Sequence, residues 1–203
     1  MNDEHFGLET PADESIDEHT ASPWYKPLLR LLRDIVEAGA MALFLFVLLQ
    51  ATVQNTVVEG QSMEPNLMDG QRLLVNKLAY RFGEPARGDI VVIKSPRGTR
   101  EKLIKRIVGL PGEMIELRGG RVYINGRQIE EYYHPNVGMR PFPPTVIPPD
   151  HYFLLGDNRD HSGDSRVWGS VSNDLIIGRV WVSLWPPDRW DWYGWPANAG
   201  SGQ

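Results

Sequence analysis

A single apolar segment near the N-terminus limits what this chain can fold into. From residue 35 to residue 53 it runs IVEAGAMALFLFVLLQATV, with Glu37 as its one charged residue. A helix of this length rises by about 28 Å, close to the thickness of a bilayer core. We therefore predict a transmembrane anchor over 35–53, with a cleaved signal peptide and a buried core helix as alternatives. Cleavage is disfavoured because the segment follows a long acidic tail and lacks a clear Ala-x-Ala exit.

The basic residues around this segment predict its orientation. Lys26, Arg30 and Arg33 precede it, and the first basic residue after it is Arg72. Because cytoplasmic flanks retain Lys and Arg, we expect residues 1–34 inside the cell and 54–203 on the outer face of the plasma membrane. The first twenty residues contain seven acids and no Lys or Arg, which is typical of a disordered, solvated tail.

Composition excludes several classes of protein. The chain has 203 residues and a formal net charge of −5, so a strongly basic nucleic-acid-binding protein is excluded and no nucleic-acid partner is expected. It has no cysteine, which excludes disulfide scaffolds, thiol nucleophiles and Cys-ligated zinc. The five histidines show no HExxH or HxH spacing, so we predict neither a metal nor a cofactor.

Short apolar runs after the anchor predict a mainly β fold, with one transmembrane helix followed by an all-β domain of antiparallel sheets. The runs are rich in Val, Ile and aromatic residues, and none has a long helical stripe. Asn125-Gly126 predicts a two-residue hairpin, because both central positions of a type I′ turn need positive φ. The runs cover 72–76, 89–93, 102–108, 113–117, 121–125, 151–155 and 175–184.

The segment from Glu131 to Pro149 interrupts this pattern. Six of its nineteen residues are proline, which has no N–H to donate to a sheet ladder. We interpret the segment as a Pro-rich surface excursion from the β domain.

Ser62, in the segment GQSMEPNL, is a candidate nucleophile that lies nine residues past the predicted span, close to the membrane surface. A serine nucleophile needs a base. No GxSxG elbow surrounds Ser62, and His134, His151 and His161 have no sequence link to it. An exposed serine without a catalytic role is the alternative.

Lys105, in the segment KLIKRIVGLPGE, is a candidate for that base. With a period of two, Leu103, Lys105 and Ile107 share one face of a strand, and the opposite face is expected to be half exposed. A buried lysine can be neutral and accept a proton, whereas a lysine that snorkels to the sheet edge is the alternative. If Lys105 is the base, activity should rise with pH, and the apparent pKa of that rise should lie well below about 10.4.

A third segment, GDNRDHSGDSR at 156–166, combines three Asp with two Arg in eleven residues. Arg159 occupies the third position from Asp157 and no Glu stands at the twelfth, so the segment does not fit a calcium-binding loop. It is either an ordinary charged turn or a hydrogen-bonded network that fixes a serine beside the lysine.

Together these segments resemble the type I signal peptidases, membrane-anchored serine proteases that remove signal peptides from exported preproteins. The resemblance extends from the anchor to about Trp185. Four motifs carry it in the family's order: the Ser-Met-x-Pro box at Ser62, RGDIVV at 87–92, KRIVGLPGE at 105–113 and GDNRDxSxDSR at 156–166.

The resemblance implies a role for each matching residue. Ser62 would be the nucleophile, Lys105 its neutral general base, and Ser162 the hydroxyl that orients the lysine. The Ser62 N–H would stabilise the oxyanion, and the second donor is unassigned because Gly60 stands where some members have a hydroxyl. The residues expected to hold the last box through charge-assisted bonds are Asp157, Arg159, Asp164 and Arg166.

The resemblance also implies the substrate and the partners. Signal peptides with an Ala-x-Ala site would bind as an extended strand, with two alternate small side chains in shallow pockets. Membrane lipid and the protein export machinery are the other expected partners. Clustered aromatic residues from Trp181 to Trp195 are expected in the headgroup zone or, for some, in the core. The expected pocket residues, with core packing as the alternative, are Val58, Met63, Leu67 and Ile104.

Two other functions compete with this interpretation. A non-catalytic anchored β domain could bind exported chains in the same groove, but it would have no reason to keep both Ser62 and Lys105. A soluble, self-cleaving Ser/Lys repressor is disfavoured by the anchor and by the absence of a DNA-binding helical domain.

Overall fold

The computed structural model describes residues 25–193, so the acidic tail over 1–20 and Trp195 lie outside the described residues. The chain divides into two compact units, Met1–Leu45 and Phe46–Gln203, which we describe separately. Helix α1 spans Tyr25–Thr52 and thus begins ten residues before the predicted anchor. None of its residues is buried. With a mean hydropathy of 1.9 over its most apolar window, α1 is long and apolar enough to cross a membrane.

The second unit is mainly β, as predicted, and each predicted run coincides with a strand. A short helix, α2 (Ser165–Trp168), follows the ninth strand. The strands are β1 (Val53–Val57), β2 (Arg72–Asn76), β3 (Ile90–Lys94), β4 (Lys102–Gly109), β5 (Met114–Arg118), β6 (Arg121–Ile124), β7 (Arg127–Gln128), β8 (Phe142–Val146), β9 (His151–Leu155), β10 (Val171–Ser172), β11 (Ile176–Trp185) and β12 (Asp191–Trp192).

The larger sheet has the order β1-β2-β11-β3-β4-β9-β10, with β12 added to β11, and its pairs are antiparallel. Strand β3 shows why its sequence is a continuous apolar run. Ile90 and Val92 pack into one buried cluster with Met63, whereas Val91 and Ile93 pack into another. A central strand covered on both faces needs apolar side chains at every position.

Strand β4 corrects one prediction about exposure. Leu103 and Ile107 pack in the same cluster, as the period of two predicts. The opposite face was expected to be half exposed, but Ile104, Arg106 and Val108 are all buried there. The reason is tertiary, because Ile104 and Val108 each pack into a further core cluster on that side.

The smaller sheet has the order β7-β6-β5-β8. The predicted hairpin between β6 and β7 is confirmed, with φ of 50° at Asn125 and 79° at Gly126. The interpretation of 131–149 as an excursion is wrong for one part, because Phe142–Val146 forms β8 and pairs with β5. As an edge strand, β8 needs donors on one side only. Its two prolines fall where the register with β5 is irregular, between Phe142 and Thr145.

Candidate active site

The structure brings Ser62 and Lys105 together from distant parts of the chain. Ser62 lies in the turn region between β1 and β2, and Lys105 lies within β4. Lys105 Nζ is 2.8 Å from Ser62 Oγ and donates a second hydrogen bond, of 2.9 Å, to the carbonyl oxygen of Ile104. The arrangement therefore has the nucleophile-to-base distance needed for direct proton transfer.

Buried apolar side chains hold the Ser62 turn in place. Met63 and Leu67 belong to one core cluster, and the Leu67 N–H donates to the Met63 carbonyl oxygen over 2.9 Å. Gly60 has a φ of +83°, which favours glycine, and its N–H donates to the Asp69 carboxylate over 2.7 Å. The Ser62 carbonyl oxygen accepts a bond from the N–H of Asn158, which ties this turn to the GDNRD segment.

Burial changes the ionisation of Lys105. Only 3% of the residue is exposed, and this desolvation lowers its pKa from 10.5 to about 8. The negative charges of Asp164 and, to a smaller extent, Asp157 oppose this shift. A substantial fraction of Lys105 is thus neutral near pH 8 and able to accept a proton.

Asp164 and Arg166 form a buried pair at the start of α2. The Asp164 carboxylate caps α2 by accepting from the Arg166 N–H, and it accepts bonds of 2.8 and 2.7 Å from the Arg166 guanidinium. It also accepts from the Gly156 N–H, and Arg166 donates to the Arg159 carbonyl oxygen. The pair therefore links the start of the loop between β9 and α2, at Gly156, to its end at Asp164.

Asp157 has a partner, Arg106, that was not expected from the sequence. The Arg106 guanidinium donates two bonds to its carboxylate, of 2.8 and 2.6 Å, and both side chains are buried. Asn66 donates a third, of 2.9 Å, from the Ser62 side of the site. Arg106 also lies over the Tyr133 ring at 4.1 Å from its centroid. The sequence did contain one signal. The 156–166 segment has three Asp but only two Arg, so a buried Asp there would need a basic partner from another part of the chain.

Arg159 pairs with Glu131 and not with Asp157. Its guanidinium donates to the Glu131 carboxylate and, over 3.1 Å, to the Gly156 carbonyl oxygen. Glu131 is the first residue of the Pro-rich excursion, so this segment contacts the predicted site. No pattern in the sequence predicts this contact.

Ser162 departs from its expected contact. Its Oγ is buried without a hydrogen-bond partner, so the expected bond to Lys105 is not made in this conformation. Ser162 nevertheless lies close to the nucleophile turn, with Gly156 between them. A Cβ at Gly156 would lie 2.3 Å from Ser162 Oγ and 2.5 Å from the Ser62 carbonyl oxygen. Only glycine fits at this position.

A cleft of about 420 Å³ opens onto Ser62 and Lys105. Its walls are strand β1, from Gln54 to Val57, and the start of β4 with the residues just before it, from Arg100. Of the four expected pocket residues, Ile104 lines the cleft. Val58, Met63 and Leu67 are buried in the core cluster to which Ile104 also belongs. Among the described residues, no group of three or more acidic or His side chains could hold a metal ion.

Comparison with known proteins gives the same family as these motifs. The family model for signal peptidase, peptidase S26, matches residues 31–185, which is more than half of the chain. The chain belongs to this peptidase family. A signal peptidase I from Leptolyngbya laminosa is 39% identical over 163 residues, 74% of this chain and 80% of that protein. A signal peptidase IB from Staphylococcus aureus is 31% identical over 177 residues, 77% of this chain and 90% of that protein.

Among solved structures, a signal peptidase I from Enterococcus faecalis matches this S26 peptidase with 34% identity and a TM-score of 0.42. The match covers 48% of this chain and 97% of that one. Membership of the family makes the chain a serine peptidase, and a serine lies at the centre of the site described above.

Proposed function

We propose that this S26 peptidase is anchored in the plasma membrane and cleaves signal peptides from exported preproteins, with Ser62 as nucleophile and Lys105 as neutral general base. The observation that carries the proposal is the distance of 2.8 Å between Lys105 Nζ and Ser62 Oγ at a buried lysine. Burial lowers the pKa of Lys105 to about 8, so the base can be neutral at a moderate pH.

The proton follows a closed path in this mechanism. Lys105 Nζ accepts the Ser62 hydroxyl proton while Oγ attacks the scissile carbonyl carbon. The ammonium then donates that proton to the leaving amine, and an ester to Ser62 remains. A water molecule, deprotonated by the neutral lysine, attacks the ester, and the lysine returns the proton to Ser62 Oγ.

The Ser62 N–H supports an oxyanion role. Among the described residues it donates no hydrogen bond, whereas the carbonyl oxygen of Ser62 is occupied by Asn158. A donor without a partner beside the attacking oxygen suits a charge that develops only in the transition state. The N–H of Gly60 already donates to Asp69, and the second donor therefore stays unassigned.

The edges of two strands favour an extended peptide as substrate. Strand β1 pairs with β2 only, and β9 pairs with β4 only from Arg106 onwards. Within the described chain, β1 and residues 102–105 of β4 thus each have one edge that faces no strand, and both line the cleft. A peptide that binds here as a strand directs alternate side chains at the enzyme, which fits small residues in an Ala-x-Ala site.

Helix α1 supports the membrane anchor. It is apolar, has no buried residue and is followed directly by the β unit. Lys26, Arg30 and Arg33 lie at its N-terminal end, which favours a cytoplasmic N-terminus and an outward β unit. The cleft would then lie on the outer side, where exported chains emerge.

The test is cleavage of a preprotein with an Ala-x-Ala site by the full chain in detergent. The parent should release the mature N-terminus, mapped by mass spectrometry, and kcat/KM should rise with pH through an apparent pKa of about 8. Ser62→Ala and Lys105→Met should be inactive, whereas Lys94→Met, at an exposed lysine of β3, should match the parent. Cleavage by Ser62→Ala would refute the assignment. A folded parent that binds the preprotein without cleaving it would favour the anchored binding domain.

A further inference from the structure

The chain passes from α1 directly into one end of the larger sheet. Strand β1 begins at Val53, directly after the last residue of α1. The antiparallel registers then bring the end of β2, the start of β11, the end of β3 and the start of β4 to the same end, which we call the helix end. The register pairs that define it are Val53↔Asn76, Asn76↔Arg179, Ile93↔Ile176 and Lys94↔Lys102.

The helix end is basic in a chain that is acidic overall. The segments 77–84, 94–102 and 173–175 lie there and contain six basic and three acidic residues, against a net charge of −5 for the whole chain. All six basic side chains are exposed. Among the described residues, none of the six lies within 4.0 Å of a carboxylate. They are Lys77, Arg81, Lys94, Arg97, Arg100 and Lys102.

Both basic loops lie close to the point where α1 ends. The Lys77 N–H donates to the carbonyl oxygen of Thr52, the last residue of α1, over 2.9 Å. The 94–102 hairpin is near as well, because Arg100 lines the same cleft as Gln54, two residues after α1. Phe82, within the 77–84 loop, is 88% exposed. An exposed aromatic ring beside unpaired cations is the composition of a surface that meets lipid headgroups.

We propose that the helix end of the sheet docks on the anionic headgroups of membrane phospholipids, an inference that rests on the proposed anchoring by α1. If α1 spans the bilayer, Thr52 lies where the hydrocarbon core gives way to headgroups. The two basic loops lie at the end of the sheet that follows Thr52 directly, and the Lys77 N–H is bonded to Thr52 itself. Docking would hold the mouth of the Ser62 cleft against the surface from which a signal peptide emerges.

The exposed tryptophans do not account for this surface. Trp185 pairs with Arg72, which lies four residues from Asn76 along β2, or roughly 13 Å from the helix end at the rise of a strand. Trp190 and Trp192 line an apolar cavity of about 420 Å³ together with Leu74, which lies two residues before Asn76. Tryptophan has no charge to complement the six cations of the helix end, whereas an anionic headgroup surface supplies the complementary charge.

The experiment uses the full chain in nanodiscs and one introduced cysteine. Because the sequence has no cysteine, Thr99→Cys at the exposed tip of the 94–102 hairpin carries a fluorophore at a unique position. The nanodiscs contain phosphatidylcholine, with or without phosphatidylglycerol, and a headgroup spin-labelled lipid as quencher. We expect stronger quenching with phosphatidylglycerol, and high salt should remove the difference because it screens exposed charges.

A neutralised variant tests the cause of the quenching. Arg81→Gln/Lys94→Gln/Arg97→Gln removes three charges from the helix end without altering the cleft. Each basic group near an anionic surface changes binding about fivefold, so the ratio of docked to undocked hairpin should fall roughly 100-fold. Equal quenching in both lipid compositions, or quenching unaffected by the triple change, would overturn the proposal.

A matched control removes the same number of charges elsewhere. Arg121→Gln/Arg127→Gln/Arg140→Gln, at three exposed arginines away from the helix end, should keep the response to phosphatidylglycerol. If the helix-end variant keeps its quenching but has a raised KM for preproteins with acidic residues near the cut, the surface binds acidic polypeptide and the lipid proposal is wrong.

Preprotein cleavage in detergent, measured in parallel, separates this inference from the proposed function. The parent and the helix-end variant should cleave equally there, because no headgroup layer is present. A parent that fails to cleave but shows lipid-dependent quenching would refute the protease assignment and leave the docking surface standing.

Discussion

Replacing Lys105 with methionine should change how stability depends on pH. Burial lowers the pKa of Lys105 from 10.5 in an exposed setting to about 8 in the folded protein. Below about pH 8 both the folded and the unfolded chain carry the proton, and the folded state bears the full desolvation penalty. Between about pH 8 and 10.5 the unfolded chain binds more protons, so stability rises with pH. Above that window both states are neutral and the penalty is gone.

The size of the effect follows from the two pKa values. At about 1.4 kcal/mol for each pH unit, a fall from 10.5 to about 8 corresponds to about 3 kcal/mol. Methionine has a similar length and no charge, so Lys105→Met lacks this dependence. The free energy of unfolding of the parent, minus that of the variant, should therefore increase by about 3 kcal/mol from about pH 7 to pH 11.

Urea unfolding of the full chain in detergent, followed by tryptophan fluorescence at several pH values, measures this difference. Other groups that titrate in the same range contribute equally to the free energies of unfolding of both proteins, so they cancel in the difference. Lys94→Met, at an exposed position of β3, controls for the loss of one lysine. A parent-minus-variant difference that stays constant over the whole range would show that Lys105 is not desolvated as argued.

Three further substitutions test the contacts around the site. Gly156→Ala should reduce kcat at least 100-fold, because its Cβ would lie 2.5 Å from the Ser62 carbonyl oxygen; a steady-state assay checks this. Arg106→Met should destabilise the protein by about 3–5 kcal/mol in urea unfolding, because Asp157 would stay buried without its cation, and adding Asp157→Leu should recover most of the loss. Ser162→Ala should leave stability within about 0.5 kcal/mol, since its hydroxyl has no partner, and a fall in kcat would locate its role in the reaction cycle.

The strands were predictable because their signals are local. Alternating or continuous apolar residues and turn dipeptides act over a few positions, so the run at 72–76 and the Asn125-Gly126 hairpin appear in the sequence as they do in the structure. Strand β8 was not predictable in this way, because its prolines are tolerated only at the edge of a sheet. Which strand lies at an edge depends on the order of all the strands.

The sequence by itself determined the apolar helix, the β character of the remainder and the motifs that contain Ser62 and Lys105. The tertiary structure alone decided which side chains meet. Lys105 lies 43 positions from Ser62, and Arg106 lies 51 positions from Asp157. No local pattern specifies such pairs, because they depend on how β4 packs between β3 and β9. That packing buries both faces of β4, and with them the lysine whose pKa is lowered and the arginine that neutralises Asp157.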